Sequence, residues 1–439
     1  MRNLLGISCG VLCLLLAGSV GAAFAASGGS SLGGNLRVGA VRVDITPADA
    51  TGLQNLWNHR FKGVHDKIYA RALVVSDGTT TAAMVAVDTV EFRDASALLQ
   101  KLSTETGIPI ANITLAASHD HNAPMVALGN AGGTRSPGPG GAAWIAKVET
   151  DIASAIRQAR AAMQPARVGI GTGKAYVNTN RSERLGDGWK RGINPDGPSD
   201  KTVWVVKFVN EAGEPIAVLM NYAVHSVVLE PENDYITGDL AGAAANFVEG
   251  RLGGKAVALW TMGAAGDQNP VFLDWDTVTE KAHRSGFALM ETLGRMLGEE
   301  VVRVAGEIRR MDANARITAD ATTLTCPGRR ADQEARKRGE VKFIDADPVT
   351  MKLGLLRIND IAFTTISGEV VTNIYWHLRK VSPLTNTIMV TIANGRVGYI
   401  VDDDAYDRGD LDMQSSFVKR GCAENGIVNG FLDLIQTQR

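Results

Sequence analysis

The segment Ser118-His119-Asp120-His121-Asn122-Ala123-Pro124 sets two imidazoles and a carboxylate directly after an apolar run, Asn112 to Ala117, that reads as a buried strand. Imidazole ligates metals and also moves protons near neutral pH, so the segment suits a metal centre or an acid–base site. Histidines two apart on extended backbone point to one side, and Pro124 soon interrupts regular structure. Both rings could hold one metal. A turn at the strand end would instead leave one as a ligand and aim the other at whatever the metal holds, and we prefer this second arrangement. An HxH pair alone is a weak signal, and two polar loop histidines without a metal read equally well.

Stepping away from that segment, the chain shows three similar stretches. Asp66 to Asp88, Asp200 to His225 and Asp347 to Glu369 each hold two β-rich runs around a polar turn, at Asp77-Gly78, Glu211 to Glu214 and Asn359-Asp360. Such turns mark hairpins. Each stretch starts at an aspartate and ends on a residue able to ligate: Asp88, His225, Glu369. A helical pattern and another strand follow each time, over about 94–106, 240–252 and 370–379 for the helices. The later strands end at Ser118-His119, before Gly263 to Asp267, and before Asn394 to Tyr399. Longer amphipathic helices near Ala142 to Met163 and Thr277 to Val304 separate the stretches. The expected fold is therefore α/β, with mixed sheets flanked by helices. It comprises three repeated strand-hairpin-helix-strand-helix units, at about 36–164, 165–311 and 312–439, around one site. Ligands of open α/β sheets sit at strand ends, so three units could present theirs to one centre. The Gly/Pro-rich Gly129 to Gly141 reads as a lid or a surface excursion, and Glu183 to Pro198 as a cleft-lining or solvated loop.

Collected from those strand ends, the candidates are His119, His121, His225, Asp239, Asp267, Glu369 and Tyr399. Imidazoles, a carboxylate and a further oxygen donor suit Zn²⁺. Taken singly, each has a plainer reading. His225 passes for a core histidine, Glu369 for a helix-start carboxylate favoured by the macrodipole, and Tyr399 for packing.

Residues 1–25 read as a signal peptide: a positive start, an apolar stretch from Leu4 to Ala17, and Ala23-Phe24-Ala25 as the cleavage site. Residues 26–35 then form a flexible segment, and 36–439 the functional domain of a secreted or periplasmic protein. Cys326 and Cys422 remain as an even pair in an oxidising compartment, where a disulfide is plausible. A formal net charge of −2 argues against a nucleic-acid partner. No later stretch is apolar enough to span a bilayer, which leaves at most peripheral membrane contact.

Taken in order, the motifs resemble the neutral (non-lysosomal) ceramidases. They run from VGxxRxDITP at Val38 to Pro47 and HDxIYARALV at His65 to Val74, through HxHxxP at His119 to Pro124 and NxNRS at Asn178 to Ser182. N-x(3)-H at Asn221 to His225, TGD at Thr237 to Asp239, GDxxP at Gly266 to Pro270, Gly368-Glu369 and N-x(3)-GY at Asn394 to Tyr399 complete the set. The resemblance spans nearly all the chain after the signal peptide. It implies zinc ligands His119, His225, Glu369 and Tyr399, with His121 and Arg181 holding the scissile amide. The sequence also departs from that family. The further tyrosine that its ceramide hydrolases carry a dozen residues after the ligand tyrosine is replaced near Leu411, and Tyr406 has a different spacing. GDQNP stands for GDxSPN, and the C-terminal β-sandwich has no counterpart in these residues.

The resulting expectation is zinc-dependent hydrolysis of the amide of a ceramide-like N-acyl lipid. The alternatives are a zinc amidase or esterase for another small or acylated substrate, and a non-catalytic periplasmic binding protein. Asp120, Asp239 and Asp267 are expected either to orient imidazoles or to cap loops and turns.

Overall fold

Aliphatic strands that are buried on both faces need cover on both sides, and the computed structural model supplies it in four layers. It describes residues 33–125, 137–186, 188–229, 233–276, 281–282 and 286–438. The signal-peptide segment and most of the Gly129 to Gly141 loop lie outside the described residues. Residues 34–439 form one compact unit.

The principal strands are β1 (Arg37–Asp44), β2 (Tyr69–Ser76), β3 (Thr81–Val87), β4 (Ile113–Ala117), β5 (Gln164–Lys174), β6 (Thr202–Asn210), β7 (Pro215–Tyr222) and β8 (Val257–Met262). Together they make one sheet in the order β8-β7-β6-β5-β1-β2-β3-β4. A second sheet follows the order β9 (Ile317–Ala331), β10 (Phe343–Ile358), β11 (Ile361–Ile366) and β12 (Asn386–Val390). Directions repeat: β1-β2-β3, β5-β6-β7 and β9-β10-β11 are antiparallel, and β4, β8 and β12 each add a parallel strand. Turn chemistry sets the hairpins. Asp77 accepts from the Thr79 and Thr80 amides, and Gly78 takes a positive φ of 89°.

Side-chain alternation assigns the layers. Val74, Val85 and Leu115 pack against α1 (Ser96–Thr106) and α2 (Gly141–Ala161), through Leu99, Leu102, Val148 and Ile152. Val205, Val218 and Trp260 pack against α3 (Asp239–Arg251) and α4 (Gly286–Glu307). The opposite face of the large sheet (Leu73, Phe208, Leu219, Leu259) meets Leu356, Phe363 and Ile388 of the small one. The small sheet's far side carries α5 (Thr372–Val381) and, after the short α6 (Leu411–Ser415), α7 (Ala423–Thr437). Among the described residues no helix is long and apolar enough to cross a membrane.

Two expectations are corrected. The polar Glu183 to Pro198 stretch is not simply a loop: Asn178–Leu185 and Gly188–Asn194 pair as a hairpin, whose turn uses Gly186 at φ 61°. Asp88, the hairpin-end residue of the first stretch, does not approach a metal position. It is buried against Arg71, whose Nη1 lies 3.0 Å from its Oδ2, while Arg71 Nε donates to Glu249 of α3 at 3.1 Å. A buried guanidinium requires such partners, so the ionic network ties the first hairpin to the second stretch. Cys326 and Cys422 are disulfide-bonded, which joins β9 to the start of α7.

Candidate metal centre

The last strands of the three segments lock together through their main chains. Ala117 N donates to Ile392 O (3.3 Å), Thr391 N to Met262 O (2.9 Å) and Asn394 N to Leu115 O (2.8 Å). The residues that follow β4, β7, β11 and β12 therefore emerge side by side. Ser118 extends the β3–β4 pairing by one bond, to Val87 O at 3.0 Å. His119 then turns left-handed, with φ 59°. Such a φ is uncommon for a residue with a Cβ, and strain of this kind collects at functional sites. It breaks the strand alternation, so the two histidines do not simply share a face. Their rings meet edge-on, with centroids 4.6 Å apart and planes at 86°.

Glu369 follows the β11 hairpin strand on a two-residue strand, Glu369–Val370, that pairs in parallel with Tyr399–Ile400 and puts Glu369 opposite Tyr399. Gly266 makes room for this crossing. A Cβ there would meet Glu369 O at 2.7 Å, and its amide bonds Val370 O at 2.9 Å.

Three side chains converge. His119 Nε2 lies 3.3 Å, and His225 Nε2 3.2 Å, from Glu369 Oε2. One ligand atom from each residue falls within 4.8 Å of the others, and all three residues are buried. Their tautomers follow from the backbone. His119 Nδ1 is 2.8 Å from Val90 O and His225 Nδ1 is 2.9 Å from Gln268 O. A carbonyl only accepts, so each Nδ1 carries a hydrogen and each ring turns its Nε2 inward. Burial, reinforced by the charge of Arg181, pushes His225 down to about 3, so this ring is neutral at pH 7. Burial alone would raise the Glu369 carboxyl, but the Arg396 guanidinium, with His119 and His225, holds it well below its usual range. Two imidazole nitrogens converging on one carboxylate oxygen form a pocket that a cation, a metal ion or a proton, can fill. The donor set, two nitrogens and one oxygen, fits Zn²⁺.

Around the triad, Arg181 points Nη1 at His225 Nε2 (3.2 Å) and sits over the Tyr399 ring, 4.8 Å from its centroid. Its Nε and Nη2 both donate to Asp412 Oδ1, at 3.0 and 2.6 Å, and Ser182 Oγ donates to Asp412 Oδ2 at 3.2 Å. The Tyr399 ring lies 6.4 Å from that of His225, nearly parallel, and burial pushes its phenol up to about 12. His121 is not among the three converging ligand atoms. Its Nε2 lies 3.3 Å from His119 Nε2, and its ring centroid 5.4 Å from that of Trp57.

The aspartates do not orient the rings of His119 and His225, because both of these Nδ1 atoms are bound by main-chain carbonyls. Asp239 accepts from the Val228 and Leu229 amides (3.0 and 3.2 Å) and from Asn122 Nδ2 (2.8 Å). Asp267 caps α5 through Thr372 N (3.0 Å) and Oγ1 (2.8 Å). Asp120 Oδ1 accepts from Asn122 N at 2.8 Å. Four residues of this site were not singled out from the sequence: Trp57, Glu91, Arg396 and Asp412. Arg396 Nε and Nη2 both lie 2.5 Å from Glu369 Oε1, and Nη1 lies 2.9 Å from Glu91 Oε2. Arg396 is inside the N-x(3)-GY motif, so its position was marked although its role was not.

A mixed α/β sandwich with a buried His–His–Glu centre at its strand ends has the form of a hydrolase. The family model for neutral/alkaline non-lysosomal ceramidase, N-terminal, matches residues 37–279. The chain belongs to this family. No curated protein matches it in sequence. Among solved structures, a ceramidase complexed with C2 superposes with a TM-score of 0.74, and the neutral ceramidase from Pseudomonas aeruginosa with 0.73. Each is 16% identical, over 92% of this chain and 75% of its own.

Proposed function

We infer that this chain is a secreted zinc-dependent amidohydrolase that cleaves a ceramide-like N-acyl lipid to a fatty acid and a sphingoid base. The observation that carries the reading is the convergence of two tautomer-locked imidazoles on Glu369 Oε2, in a member of the ceramidase family. His119, His225 and Glu369, with the Tyr399 phenol, would hold the metal. Zinc in such a site supplies a Lewis acid and lowers the pKa of water toward 7.

The chain's own groups do the rest. Arg181, anchored by Asp412, keeps Nη1 facing the centre and donates to the oxygen of the scissile carbonyl as negative charge develops there. His121 Nε2, beside the first ligand, is placed to pass a proton to the departing amine nitrogen. The Cys326–Cys422 disulfide fits an oxidising compartment and thus the signal-peptide reading.

A second reading, an amidase or esterase for a different substrate, has its own support. Tyr406 donates its hydroxyl to Val418 O at 2.7 Å, so it does not stand in for the tyrosine replaced near Leu411. Beyond Asp412, a cavity of about 230 Å³ is lined by Asn180, Ser182, Asp402 and Asp410 together with Trp189, Pro198 and Val371, so it offers polar groups as well as apolar surface to a substrate. The deciding experiment pairs metal analysis of the purified protein with fatty-acid release from a panel of N-acyl substrates. Stoichiometric zinc with preference for long-chain N-acyl sphingoid bases is expected. Turnover of short polar amides alone would transfer the assignment to the second reading, and no bound metal would end both.

A further inference from the structure

We propose that Arg396, braced by Glu91, is a positioning residue that restricts Glu369 to one-oxygen binding and so keeps a coordination position at the centre open. This rests on the metal reading above. A carboxylate can grip a metal with one oxygen or two. Catalytic zinc sites leave a position for water or substrate beside their protein ligands, and with Tyr399 also at the metal a second carboxylate oxygen would take up that space.

The geometry works against the second oxygen. Arg396 sets both Nε and Nη2 on Glu369 Oε1 at 2.5 Å, while Oε2 alone faces the two imidazoles. The Nε hydrogen bond and the close Nη2 charge both act on Oε1 and hold that oxygen away from the imidazoles, which leaves Oε2 as the one that faces them. Arg396 is itself fixed, because Nη1 lies 2.9 Å from Glu91 Oε2, and Arg93 Nε lies 2.9 Å from Glu91 Oε1. Glu91 is buried and follows β3, whereas Arg396 and Glu369 belong to the third segment. The brace therefore spans the two sheets. Its charges also cancel: Arg93 and Arg396 balance Glu91 and Glu369. A metal ion bound there would therefore keep most of its charge, which favours polarisation of a carbonyl.

A purely structural role, in which Arg396 only neutralises a buried carboxylate, makes a different prediction from the positioning role. Outer partners of metal ligands typically change affinity or activity by about 10–100-fold when lost. The test uses the full chain loaded with Co²⁺, whose visible absorption weakens as coordination number rises. In Arg396→Ala, Co²⁺ should still bind, within about tenfold of the wild-type affinity by chelator competition. Its visible bands should lose intensity, and kcat should fall about 10–100-fold with little change in KM. Arg396→Lys, which keeps the charge but not the fork, should reproduce the spectral change in part. Glu91→Gln should shift the spectrum the same way by a smaller amount, and it carries the test if Arg396→Ala does not fold. A wild-type cobalt spectrum in all the folded variants would overturn the proposal, even if activity falls. Loss of the metal from Arg396→Ala would overturn it in favour of simple structural support. Failure of the wild-type protein to bind Co²⁺ would instead remove the metal reading on which the proposal stands.

Discussion

Replacing Asp412 with alanine should damage both stability and catalysis, and the structure indicates by how much. Asp412 accepts two hydrogen bonds from the Arg181 guanidinium and one from Ser182, with all three side chains buried. Arg181 stays charged when its partner goes, because a guanidinium does not deprotonate in a protein. Leaving such a group unpaired costs about 3–5 kcal/mol. Unfolding entropy near 60 °C is about 2.1 cal/mol/K per residue, or roughly 0.85 kcal/mol/K for a folded unit of this size. The melting temperature should then fall by about 4–6 °C, read by calorimetry on metal-loaded protein. Catalysis should fall further than stability suggests. Without Asp412 the guanidinium loses the contacts that aim Nη1, and loss of a donor to a developing oxyanion costs about 10²–10³ in kcat. Asp412→Asn keeps the shape and one acceptor, so it should fall between wild type and alanine on both measures. A variant with unchanged melting temperature and unchanged kcat would refute the argument that this ion pair holds Arg181 in place.

Other outcomes follow from the same geometry. His225→Ala should abolish metal retention and hydrolysis together, measured by metal content after dialysis and by product release; a metal-free variant with full activity would remove the zinc proposal. His121→Ala should keep the metal and lose about 10²–10⁴ in rate, the usual contribution of a positioned acid–base group. If it loses the metal instead, His121 and His119 have exchanged roles. Reduction of Cys326–Cys422, which closes a sequence separation of 96 residues, should lower stability by about 3–5 kcal/mol in denaturant titrations. An unchanged midpoint would mean that the packing of α7 on β9 and β10 already restrains that loop.

The parts of this molecule that could be read from the sequence were those written in local patterns. The Asp77-Gly78 and Asn359-Asp360 turns, the aliphatic hairpins and the amphipathic helices each depend on residues a few positions apart. His119, His225 and Glu369 stood out because each follows a run that had to be a buried strand. The partners that complete the site are far away in sequence: Asp412 reaches Arg181 across 231 positions, and Glu91 meets Arg396 only because the two sheets are stacked. Nothing near Asp412 marks it, since an aspartate opening a short helix is ordinary. The motifs leave the aspartates at 120, 239 and 267 either orienting imidazoles or capping loops and turns; the rings of His119 and His225 are taken by Val90 O and Gln268 O, which leaves the aspartates to the caps and turns there. The Glu183 to Pro198 stretch looked like a loop because glycine and charge outweighed its alternation. Its pairing with Asn178–Leu185 supplies what the composition lacks.

The use of peptide carbonyls, rather than side chains, to steer the two rings has a consequence for how the protein can change. Every amino acid brings the same C=O, so a change at position 90 that respects its apolar pocket leaves the imidazole of His119 in place, provided the loop keeps its path, whereas Gln268 is also held by its own side-chain hydrogen bonds. A library restricted to apolar residues of similar size at Val90, which is buried with Leu56 and Met125, should therefore recover many active clones. Selection for altered ring orientation would have to work through insertions or deletions that move the main chain.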